Sequence, residues 1–136
     1  LGSYKVSVDT KRDIAEIIGN ICGPQHDRFR DEVILAQRNQ IKLYVLVENA
    51  DGVSTLADLD RWENPRAKMK KWIRGEDGSR KQVPVSPNAT KGSTLAKAMR
   101  TMQEEYDVRF LFCRPEETGR EILELLGAME NGKKEK

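Results

Sequence analysis

Residues 41–47 (Ile-Lys-Leu-Tyr-Val-Leu-Val) carry apolar side chains at both odd and even positions. A strand turns successive side chains to opposite faces, so a run that is apolar on both belongs in a sheet covered on both sides. Residues 108–113 (Val-Arg-Phe-Leu-Phe-Cys) repeat the pattern. Between and around these runs lie stretches with helical period. Ile14, Ile17, Ile18 and Ile21 make one apolar stripe, and Phe29, Val33 and Ala36 make a second within residues 27–39. Leu95, Met99 and Met102 mark a helix that begins near Ser93, and Ile122, Leu125, Leu126 and Met129 mark one over 118–129. A shorter strand, alternating from Tyr4 to Val8, comes before all of them. The order β, α, α, β, insert, α, β, α predicts an α/β fold: a mainly parallel central sheet flanked by helices.

A chain of 136 residues suits one domain, here 1–131 with a basic insert at about 50–92 and a disordered tail at 132–136. Its start at Leu1-Gly2-Ser3, without a methionine, reads as an N-terminal truncation. Charged residues make up 34% of the chain, yet the formal net charge is only +2, so binding to an anionic polymer has to rest on local patches. Cys22 and Cys113 are far apart, read as small core residues, and lack zinc-site spacing. That usage fits a reduced intracellular setting, cytoplasmic or nucleoid-associated, or nuclear in a eukaryote. His26 is the sole histidine and reads as a surface residue at a helix start. No apolar run reaches membrane-spanning length.

Chemistry gathers at the end of the first strand. Asp9 and Lys11 are two residues apart, so in extended backbone they point to the same side, with the Thr10 carbonyl beside them. Carboxylate and carbonyl oxygens suit Mg²⁺ or Mn²⁺, and a lysine can orient or deprotonate an attacking water. The plainer alternative makes Asp9 the cap of a helix beginning near Lys11. The insert is the most basic stretch. Trp62 and Trp72, interleaved with Lys68, Lys70, Lys71 and Arg74, offer phosphate contacts and stacking surfaces, or else Met69, Trp72 and Ile73 form the inner face of a short helix. Residues 75–80 read as a turn and 83–87 as an extended connector.

The runs 8–21, 28–32 and 43–48 resemble, in order, the nuclease domain of XPF-type structure-specific DNA endonucleases, and 93–102, 108–113 and 118–122 resemble its closing helix, strand and helix. That family carries a Glu-Arg-Lys, three residues, Asp signature within a PD-(D/E)XK fold and hydrolyses phosphodiesters with a divalent metal. The resemblance implies a Mg²⁺- or Mn²⁺-dependent endonuclease acting on branched or partly single-stranded DNA. Asp9 stands for the metal-binding Glu, Thr10 replaces the Arg, and Lys11 is the catalytic Lys. Glu16 matches the final Asp if one residue is inserted, and Arg28 and Glu32 match residues lining the cleft. Arg28, Arg30 and the basic insert are the expected DNA contacts. The second metal carboxylate of the family, on an upstream Gly-Asp strand, has no counterpart here: Leu1-Gly2-Ser3-Tyr4 has Ser in its place. Its absence and Thr10 keep a second reading open, a non-cleaving DNA-binding or scaffold module. The helix faces near Leu95 and Ile122 leave homodimerisation open.

Overall fold

The computed structural model describes residues 5–86 and 89–134, with side chains through residue 127. Leu1 to Tyr4, the Pro87 end of the 83–87 connector, and the side chain of Met129 therefore lie outside the described residues.

The central sheet has three strands, β1 (Lys5–Lys11), β2 (Ile41–Glu48) and β5 (Val108–Cys113), in the order β1-β2-β5 and parallel throughout. β2 is central, as its two-sided apolar pattern requires: Val45, Leu46 and Val47 are fully buried. Three helices cover one face. α1 (Ile14–Ile21) buries Ile14, Ile17 and Ile21, α2 (His26–Arg38) buries Phe29 and Val33, and α4 (Gly92–Glu105) buries Leu95, Ala96 and Met99. These side chains meet Val45, Val47, Val108, Phe110 and Phe112 in one core. Burying a residue such as Ile17 completely is worth roughly 2 kcal/mol. The opposite face receives α5 (Thr118–Lys134), which packs against β1. Thr118 at its start donates to the carboxylate of Glu48, which shares a face with Leu46. Helical structure reaches Lys134 and so includes part of the expected tail, while 135 and 136 are not described.

α1 starts at Asp13, whose side chain accepts from the Glu16 backbone N–H at 2.8 Å. Asp9 is therefore not the helix cap, and Lys11 belongs to the strand. Parallel pairing with β2 carries β1 two residues beyond Asp9.

The insert is ordered by two devices. α3 (Leu56–Asp60) is capped by Thr55 and buries Leu59 against α4. Next come β3 (Lys70–Arg74) and β4 (Arg80–Pro84), which form an antiparallel hairpin separate from the central sheet. The short-helix alternative for Met69, Trp72 and Ile73 is thus replaced by a strand. Asn64, nearly buried, anchors the approach to the hairpin by donating to the Thr90 carbonyl and accepting from Arg66 N–H. Among the described residues, no helix is long and apolar enough to cross a membrane.

Candidate functional site

Asp9 and Lys11 end β1 at the carboxyl edge of the parallel sheet, the side on which open α/β sheets hold their ligands. Register pairs them with Val45 and Val47, so both point to the face covered by α1, α2 and α4. Their groups meet: Lys11 Nζ is 3.2 Å from Asp9 Oδ2. The exposures differ usefully, with the lysine side chain 13% exposed and the aspartate 42%. Lys11 is sheltered because its ammonium lies over the Phe29 ring, 5.6 Å from the centroid. Asp9 keeps a face open to solvent. The Thr10 side chain points to the other side of the sheet, so only its backbone borders the pair.

Glu16 and Glu32 do not join them. The Glu16 carboxylate accepts from the Arg12 backbone N–H at 3.1 Å and lies 3.5 Å from Arg12 Nε, closing the turn between β1 and α1. Glu32 pairs with Arg28 at 3.7 Å along the outer face of α2, where both are exposed. Such an i,i+4 pair is worth only ~0.3–0.5 kcal/mol. Among the described residues, no group of three or more His, Cys, Asp or Glu side chains is placed to hold a metal. The donors at the strand end are hard oxygens nonetheless. Mg²⁺ commonly takes one or two protein carboxylates and fills its other positions with water and substrate phosphate, a demand that Asp9 and the Thr10 carbonyl can meet.

Arg30 belongs to a neighbouring groove between α2 and α4, with a volume of about 440 Å³. Its floor includes Ile21, Phe29, Met102 and Tyr106, and its rim carries His26, Arg30 and Lys97 against Glu105. Phe29 joins the two places, since its ring lies beneath Lys11 and it is also among the residues lining the groove. No local pattern marks the groove, because α2 and α4 are separated by more than fifty residues of chain. His26 is an exposed helix-start residue, as expected, with Nδ1 3.3 Å from Asp27 Oδ1.

The basic insert divides. Lys68 pairs with Glu63. Lys70, Lys71 and Arg74 stand exposed on β3 with Trp72, and among the described residues none of the three forms an ion pair. Trp62 does not accompany Trp72: it packs against the core and donates from Nε1 to Asp51 at 3.0 Å. Cys113 is buried as expected, and burial pushes its thiol above the ordinary value, whereas Cys22 is exposed at the end of α1 rather than in the core. Leu95 is wholly buried within this chain, so its helix face is not free for a second copy, while Leu123 and Leu126 of α5 are exposed. Comparison with protein-family models, curated proteins and solved structures found no match.

Proposed function

We propose that this chain is a nuclease-type α/β domain of the XPF-like PD-(D/E)XK class that hydrolyses phosphodiesters in branched or partly single-stranded DNA with Mg²⁺ or Mn²⁺. The observation that carries the reading is the Asp9–Lys11 pair at the carboxyl edge of the sheet, a half-open carboxylate 3.2 Å from a sheltered ammonium. A surface ion pair made only for stability would be worth ~0–1 kcal/mol and would have little reason to shelter its lysine over an aromatic ring.

Asp9 and the Thr10 carbonyl are the residues that would hold the ion. When bound, it supplies Lewis-acid stabilisation of charge on the phosphoryl group. Lys11 can donate N–H bonds to the attacking water or to a phosphate oxygen, and the Phe29 ring fixes where its ammonium sits. Arg30 and Lys97, on the rim of the adjoining groove, can hold the backbone on one side of the scissile bond. Asp9 would be the one carboxylate that the end of β1 offers the ion, so metal binding should be weak without DNA.

A second reading has an observation in its favour. Asp9 is already paired with Lys11, and among the described residues no group of three or more His, Cys, Asp or Glu side chains gathers to hold a metal. A domain that binds DNA without cutting it would look the same. Cleavage of labelled flap, splayed-arm and duplex DNAs with Mg²⁺, with Mn²⁺ and with chelator separates the two. Metal-dependent cutting supports hydrolysis, and binding without cutting under all conditions supports the non-cleaving module.

A further inference from the structure

Charge in this chain is distributed unevenly. Residues 66–85 contain seven lysines and arginines and two acids, a net +5, whereas the chain as a whole is +2. The remaining residues therefore carry −3. Attraction for a polyanion is concentrated in the β3–β4 hairpin and its base.

The register sorts the hairpin into two unlike faces. Trp72 pairs with Gln82, Arg74 with Arg80, and Lys70 with Pro84, placing all six on one side. Lys71, Ile73, Lys81 and Val83 occupy the other. The first face holds three cations and no acid. Trp72 is 58% exposed there, and the Arg80 guanidinium lies over its ring at 5.6 Å from the centroid. A hairpin of two strands has little stability of its own, and the turn is secured locally: Gly75 N–H donates to the Ser79 carbonyl, and Asp77 accepts from the Ser79 backbone and hydroxyl. Gly78 takes φ 82°, open to glycine at little cost.

We infer that the Trp72 face of this hairpin is a grip for single-stranded DNA, in which Trp72 stacks on an unpaired base and Lys70, Arg74 and Arg80 hold the flanking phosphates. An exposed aromatic ring among cations is the arrangement that takes bases without regard to sequence, because every base has a π face. Duplex bases are stacked on each other and leave nothing for Trp72 to cover. Five strand residues span ~17 Å, room for about five stacked nucleotides at ~3.4 Å each. The inference rests on the reading of the chain as acting on DNA, and it selects the unpaired arm of a branched substrate as what the hairpin holds.

The test is binding of a fluorescein-labelled 12-mer of thymidine to residues 1–136 in chelator, where no metal-dependent cleavage occurs, across a salt series. Trp72→Leu keeps apolar bulk and strand preference but removes the π face; it is expected to weaken binding roughly 5- to 150-fold, with Trp72→Phe intermediate and circular dichroism unchanged. Lys70→Ala with Arg74→Ala is expected to flatten the slope of log affinity against log salt by about 1.4. Lys71→Ala with Lys81→Ala, on the other face, is expected to change it by less than half that amount. A Trp72→Leu protein binding within twofold of the parent overturns the inference, as do equal effects from the two lysine faces, no binding by the parent, or preference for phosphatidylserine vesicles over DNA. Trp72-dependent binding by a protein that cuts nothing leaves the grip standing and removes the nuclease reading. Cleavage of branched DNA that is indifferent to Trp72 does the reverse.

Discussion

Replacing Phe29 with leucine separates the two jobs of its ring, which is 3% exposed in the core and also lies beneath Lys11. Leucine keeps most of the apolar volume, so the packing cost is about 1–2 kcal/mol. Loss of the ring under an ammonium at 5.6 Å adds ~0.5–1 kcal/mol. A combined loss of roughly 1.5–3 kcal/mol should lower the melting temperature by about 5–12 °C in a domain of this size. Lys11→Met separates the parts, since it keeps the stem and removes the charge. In urea denaturation followed by circular dichroism, the cycle of Phe29→Leu, Lys11→Met and the double variant should give a coupling of about 0.5–1 kcal/mol. Phe29→Leu costing the same with and without the Lys11 charge would refute the claim that the ring positions the ammonium.

Gly92 opens α4 where it meets α3, and a Cβ there would lie 2.6 Å from the Trp62 carbonyl oxygen and closer still to that of Leu59. Because both neighbours are backbone, Gly92→Ala should destabilise by at least ~1–3 kcal/mol in the same denaturation assay. Asp60 on α3 receives two hydrogen bonds from Arg100 on α4, at 3.1 and 2.8 Å, and these hold its carboxyl below the ordinary value of 3.8. A depressed native value means stability that is present above 3.8 and lost as pH falls through the native value. The stability gap between the parent and Asp60→Asn, measured by thermal melts, should accordingly be constant above about pH 5 and shrink below 3.8.

What the sequence makes legible here is set by locality. β2 and β5 announce themselves because burial on both faces puts apolar residues at odd and even positions alike, and the helices of the covered face show their period in Ile14, Phe29 and Leu95. The choice between Asp9 and Asp13 as helix cap is not local. It turns on how far β1 pairs with β2, and that pairing converts Asp9 and Lys11 from a first helical turn into a strand end. Glu16 lines up with the signature's final Asp only if one residue is inserted, and its carboxylate satisfies Arg12 N–H in a turn, which no pattern of residue types distinguishes. The hairpin is hard to see because both of its faces are wet. Without a buried side, β3 lacks the apolar alternation that marks a strand, and only Asp77-Gly78 hints at its turn. α3 did leave a signal, Ser54-Thr55 followed by Asp58, in which Thr55 caps the helix and Asp58 accepts from Ser54.

The most direct measurement is metal-dependent cleavage of a labelled splayed-arm DNA by the protein, with Asp9→Asn and Lys11→Met made in it. Cutting should require Mg²⁺ or Mn²⁺ and fall at least a hundredfold in both variants, while DNA binding in chelator and the melting temperature stay near those of the parent. Undiminished cutting by both variants, or cutting that persists in chelator, would contradict a hydrolytic site built on Asp9 and Lys11.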